Sequence, residues 1–147
     1  MRVVVKVFVA TVVFWYHTVM NTVNQLAKKY GLELVLLFGS RADGSHREKS
    51  DFDIAYLSRP NLDLTKESEL IVDLMPLLKS NHIDLVNLKT APPLLYYAIF
   101  KNSKVLYEKQ PLLFVSLRVY AFKKYIEAKP LYEERFRRIK KFLSTKS

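Results

Sequence analysis

The chain passes between short apolar runs and longer amphipathic stretches, and the spacing of its apolar positions sorts most of it into elements. Leu34 to Phe38 (LVLLF) is short and continuously apolar, the pattern of an interior strand. Phe52-Asp53-Ile54-Ala55-Tyr56-Leu57 alternates, as a strand does when its two faces meet different surroundings. His82 to Leu88 (HIDLVNL) reads as a further buried strand with Asp84 as its one acid, and Lys104 to Tyr107 (KVLY) as a short last one. Val19, Val23, Leu26 and Tyr30 fall at helical spacing, with Lys28 and Lys29 suited to a helix C-terminus and Gly31 to its cap. Leu70, Ile71, Leu74, Leu77 and Leu78 mark an amphipathic helix that Pro76 is expected to bend or interrupt, and Thr90 and Pro92 open another through Phe100. The order helix, strand, strand, helix, strand, helix, strand, helix predicts an α/β (α+β) domain. It would hold a small mixed β-sheet with helices packed on one face and the other face open.

The two ends fit this scheme less directly. Residues 1–19 (MRVVVKVFVATVVFWYHTV) are rich in valine and aromatics, which favours strand; Lys6 interrupts them and they are short for a membrane span. They begin like a signal peptide, but no small-residue cleavage site follows, so this extension is read as an added strand or as translation from upstream of the usual start. Residues 111–147 start as PLLFVSLRVYAFKKYIEAK, apolar on nearly every face. Past Pro130, which would kink one helix or start a second, Tyr132, Phe136, Ile139 and Leu143 recur at helical spacing among Arg135, Arg137, Arg138, Lys140 and Lys141. Three segments follow: an N-terminal extension (1–19), a core domain (20–110), and a basic helical segment (111–147) that packs on the domain, on a second copy or on a partner.

The candidate chemistry sits where the first two strands meet. Gly39-Ser40 is followed by ten residues and then Asp51-Phe52-Asp53. In a strand, residues two apart share a face, so Asp51 and Asp53 project together while Phe52 and Ile54 point the other way. Two such carboxylates make half of a two-metal site; Mg2+ ions about 4 Å apart need a shared bridge and further oxygen ligands, and Asp84 is the candidate third acid. A glycine after an interior strand lets a triphosphate approach the backbone, and the Ser40 hydroxyl and nearby N–H groups can donate to phosphate oxygens.

At GSRADGSHREKSDFD, with HIDLVNL downstream, the chain resembles the nucleotidyltransferases of the DNA polymerase beta superfamily, whose signature is Gly-Ser, a spacer, Asp-x-Asp and a later Asp. The ten-residue spacer resembles most the minimal nucleotidyltransferases that act as antitoxins to HEPN-domain ribonuclease toxins, over about Leu26 to Tyr107. The resemblance implies a polymerase beta-like nucleotidyltransferase fold for residues 20–110, with a C-terminal helical extension, and a cytoplasmic enzyme that moves AMP from ATP to a tyrosine of its toxin partner. It further implies that Gly39 and Ser40 hold the triphosphate, that Asp51, Asp53 and Asp84 bind two Mg2+ ions, and that Asp84 also serves as base. Many relatives carry a basic residue where this chain has Asp43, so phosphate contacts are expected from Arg41, Arg47, Lys49 and Ser50 instead.

Composition narrows the remaining choices. The chain has no cysteine, which excludes disulfides and thiolate metal sites, and its three histidines, His17, His46 and His82, have no paired ligand spacing. Of the net charge of +10, the segment from Pro111 onward contributes ten Lys or Arg against three Glu, or +7, leaving +3 for the first 110 residues. A basic helix with aromatics suits RNA as well as protein. Three readings therefore compete: protein adenylyltransfer, a small-molecule adenylyltransferase of the aminoglycoside type, and a binding antitoxin that silences its toxin by occlusion alone.

Overall fold

The structure, a computed structural model, describes residues 21–44 and 50–145, so the expectations for residues 1–19 lie outside the described residues. Helix α1 (residues 21–30) buries Val23, Leu26, Ala27 and Tyr30, the helical repeat of its apolar positions, and ends at Gly31. Strand β1 (Leu32–Phe38) leads into a single helical turn, α2 (Ser40–Asp43), which the sequence pattern did not predict. Next come β2 (Phe52–Ser58), α3 (Leu64–Leu78), β3 (Ile83–Asn87), α4 (Pro93–Lys101), β4 (Ser103–Glu108) and the long α5 (Leu113–Ser144). Among the described residues no helix is long and apolar enough to cross a membrane.

The four strands form one mixed sheet in the order β3-β2-β1-β4. β1 is antiparallel to β2 and to β4, while β2 and β3, joined through α3, run parallel, since a parallel pair needs a crossover. One face carries Val35, Ile54, Tyr56 and Ile83, packed against Leu26 and Tyr30 of α1 and Leu70 and Leu74 of α3. This is the expected helical layer. The opposite face was expected to be open throughout, but Leu34, Leu36, Ala55 and Val86 make it apolar at its centre, and Ile99 and Phe100 of α4 with Leu117 and Ala121 of α5 cover them. What remains open is the end of that face where β2 and β3 begin.

The two prolines behave differently from a simple helix-breaking rule. Pro76 is exposed and near the end of α3, which continues to Leu78 and stops at Lys79 in the left-handed region (φ 50°). Pro130 also faces solvent, and α5 runs through it without interruption. Asp63 caps α3, accepting from the Lys66 N–H at 2.8 Å.

Asp73 fastens α3 to α1. Its Oδ2 accepts from Lys29 Nζ and from the Tyr30 hydroxyl, each at 2.7 Å, and these bonds hold its pKa below the ordinary carboxylate value. A depressed native pKa gives stability that is complete above the unfolded value of about 3.9 and is lost as pH falls through the lower native value. Asp73→Asn should therefore cost about 1 kcal/mol at pH 7, a figure kept low because the carboxylate is partly hydrated. The gap between variant and parent should close in acid, as urea unfolding at pH 7 and near pH 3 would read directly.

Candidate active site

The parallel register decides which acids meet. Asp53 on β2 pairs with Asp84 on β3, so both side chains leave the same face of adjacent strands. Asp51 lies just before β2, whose first N–H, that of Phe52, donates to the His82 carbonyl at 3.0 Å. Asp51 and Asp84 are exposed and Asp53 is half-buried. Burial raises the Asp53 carboxyl above its ordinary pKa, and the nearby charges of Asp84 and then Asp51 raise it further. Three acids are thus close enough to repel, at the open end of an otherwise covered face.

Gly39 forms the opposite wall. It caps α2 at φ 71° and ψ −157°, and a Cβ placed there would run into the Asp53 carboxyl group. The close approach of bare backbone to a carboxylate is the cradle that a glycine at this turn allows. Ser40 begins α2, and the Ala42 N–H closes the turn on the Gly39 carbonyl at 3.0 Å. Across the sheet, Asp84, Asp53, Phe38 and Ser103 occupy one continuous row through the strand register.

The expected phosphate contacts divide into two groups. Arg47 and Lys49 lie outside the described residues. Arg41 is occupied with the protein itself: its Nε donates to the Ser50 carbonyl at 2.8 Å and its guanidinium stacks 3.9 Å from the Phe52 ring centre. It ties the turn after β1 to the entrance of β2. Ser50 and Asp51 join Lys79, Ser80 and His82 around a cleft of about 660 Å³ beside the acids.

Two residues in the rows that carry the acids were not singled out by sequence, His82 next to Asp51 and Ser103 two strands from Asp53. His82 precedes β3 by one residue, and extending the β2–β3 register by one pair sets it beside Asp51. Ser103 has a buried hydroxyl with no hydrogen-bond partner among the described residues. Neither carries a local motif. The signal is the strand register, which requires knowing which strands pair.

A divalent cation fits this donor set by chemistry: hard carboxylate oxygens, mutual repulsion that raises Asp53, and a glycine wall that leaves room. Among the described residues, no three acidic or histidine side chains already converge on one point as ligands. Like charges without a cation between them are expected to spread, and Asp51 and Asp84 are exposed.

Comparison with known proteins bears on the same region. The family described as Polymerase beta, Nucleotidyltransferase matches residues 21–112, which includes every acid above. Protein adenylyltransferase MntA of Shewanella oneidensis is 37% identical over 79 residues, 54% of this chain; the chain spans 56% of that curated relative's length. Among solved structures, a chain of a toxin-antitoxin crystallised with AMP-PNP is 28% identical with a TM-score of 0.67, covering 84% of this chain and 98% of that one. A chain from tri-AMPylated Shewanella oneidensis HEPN toxin in complex with MNT antitoxin is 26% identical with a TM-score of 0.63, covering 87% and 98%.

Proposed function

Because this chain belongs to the polymerase beta nucleotidyltransferase family, we propose that it is an antitoxin that transfers AMP from ATP to a tyrosine of a HEPN-domain ribonuclease and so silences it. The observation that carries this reading is the pairing of Asp53 with Asp84 against the bare Gly39 backbone, with Asp51 at the strand entrance. The relative crystallised with AMP-PNP supports ATP as donor, and the AMPylated HEPN toxin solved with its antitoxin supports the acceptor class. In this reading residues 20–110 are the transferase unit, residues 111–147 pack on that unit through their first part and leave the rest for a partner, and the protein works in the cytoplasm.

In the reaction the tyrosine oxygen forms a bond to the α-phosphorus, the bond from that phosphorus to the bridging oxygen breaks, and pyrophosphate leaves. Asp84 is the exposed acid on the edge strand, where an incoming side chain can reach it, and it accepts the tyrosine proton. Gly39 and Ser40 hold the triphosphate in line, assisted by Arg41, Ser50, Arg47 and Lys49; Arg41 also ties the turn after β1 to the entrance of β2 through Ser50 and Phe52. Asp51, Asp53 and Asp84 would hold Mg2+, which when bound would supply positive charge to balance the triphosphate and the departing pyrophosphate. Asp53, destabilised as a bare anion, has the most to gain from a neighbouring cation.

The test is intact-mass measurement of a HEPN-domain protein, sought first as the product of the neighbouring gene, after incubation with the chain, ATP and Mg2+. One or more adenylyl increments on that protein, absent when EDTA is added, is the expected result. A stable complex with no mass change would favour silencing by occlusion, and transfer only to an aminoglycoside-type acceptor would favour the small-molecule reading.

A further inference from the structure

α5 keeps one face apolar well past the domain that it helps to close. Leu117 and Ala121 pack into the core over α4, antiparallel to it, with Phe114 against Phe100 and Tyr125 stacked on Tyr97 at 4.3 Å. Steps of three and four residues carry the same face onward through Tyr132, Phe136, Ile139 and Leu143. From Tyr125 to Leu143 the helix advances about 27 Å. Beneath that stretch, among the described residues, an open groove of about 410 Å³ is closed on one side by Leu94 at the beginning of α4 and otherwise lined by α5 itself, Tyr125, Tyr132, Phe136 and Ile139 included. Phe136 is 71% exposed, Ile139 50% and Leu143 61%, an amount of contiguous apolar surface that marks a binding face.

The charge around this face selects its occupant. From Arg135 to Lys141 five of seven residues are Arg or Lys and none is acidic. Glu133 and Glu134, the nearest acids, already face Lys129 and Arg137 and Arg138 within the helix. A second copy centred on Phe136 and Ile139 would set the same five cations against these. A nucleic acid would use the five cations for its phosphates but leave the aliphatic Ile139 and Leu143 uncovered. An apolar surface edged with carboxylates satisfies both the centre and the rim.

We infer that the distal face of α5, from Tyr132 to Leu143, is the docking surface for the HEPN-domain partner, which presents to it an apolar helical stripe flanked by acidic residues. This deepens the transferase reading above and rests on it for the partner's identity. The helix supplies affinity away from the reacting atoms, so that the acceptor tyrosine is delivered to the acids by a complex already formed.

The test is the double variant Phe136→Asp and Ile139→Asp, both at exposed positions, whose melting temperature should match the parent. Calorimetric titration with the HEPN-domain protein should show binding weakened by about 30-fold or more. Adenylyl transfer should show a KM for that protein raised in step while kcat at saturation is unchanged. Lys140→Glu with Lys141→Glu should weaken binding mainly through slower association. Unchanged affinity in the apolar double variant would overturn the inference, as would absence of binding by the parent, or a self-associated parent that the variant dissociates. Because affinity is read without catalysis, binding lost in the variant with no transfer by the parent would refute the transferase reading and leave the docking surface standing.

Discussion

Asp53→Asn is expected to abolish adenylyl transfer, with kcat falling on the order of a thousandfold or more, and at the same time to raise the melting temperature by a few degrees. The two effects have one cause. Asp53 is half-buried, faces Asp84 across the parallel pair and stands near Asp51, so its negative charge is costly in the bare fold. An amide of the same shape removes the repulsion and lightens the desolvation. It also removes the charge that would balance a cation and the triphosphate, a balance needed most when pyrophosphate departs. A control separates this from a general loss of structure: Mg2+ with a non-hydrolysable ATP analogue should raise the melting temperature of the parent but not of the variant. Near-parental transfer by Asp53→Asn, followed with radiolabelled ATP, would remove Asp53 from the mechanism. A lower melting temperature would show that its charge is compensated in the fold.

How far the sequence led can be argued from particular residues. The strands were legible because Leu34 to Phe38 and Phe52 to Leu57 carry the two apolar patterns that strands alone carry at that length, and the observed β1 and β2 contain them. The coverage of the second sheet face was not legible. Residues 113–125 are apolar on nearly every side, so no period indicates which side packs, and only the fold assigns Leu117 and Ala121 to the core while leaving Val119 and Phe122 exposed. Arg41 has the chemistry of a phosphate ligand, and what the sequence did not show is that in the fold its Nε also donates to the Ser50 carbonyl and its guanidinium lies over the Phe52 ring. The positions of His82 beside Asp51, and of Ser103 two strands from Asp53 in the same row, exist only through strand register, which pairs residues far apart in the chain. Pro130 left one helix or two open, and its exposure explains why one was possible: its ring and missing donor fall on a side of α5 that is exposed among the described residues.

Gly39→Ala should reduce transfer about a hundredfold while lowering stability by about 1–3 kcal/mol, although the added group is only a methyl. Its φ of 71° with ψ −157° lies in a region that an L side chain scarcely enters, so alanine strains the turn before any contact is considered. The methyl would also occupy the place of the Asp53 carboxyl group, and the carboxylate must turn away or the turn must lift off the sheet. Either movement separates the backbone that would hold the triphosphate from an acid that would hold metal, and displacements near 1 Å at a reacting centre cost about two orders of magnitude in rate. Gly44→Ala is the matched control. It too has a positive φ, of 82°, and with ψ of 5° sits in the milder left-handed region, so it shares part of the strain, but no atom among the described residues lies within 4 Å of its added Cβ. The variant at Gly44 should therefore lose stability while keeping far more activity, and the ratio of the two kcat values isolates what the contact with Asp53 is worth. Equal activity in the two variants would mean that the bare backbone at Gly39 serves only the shape of the turn.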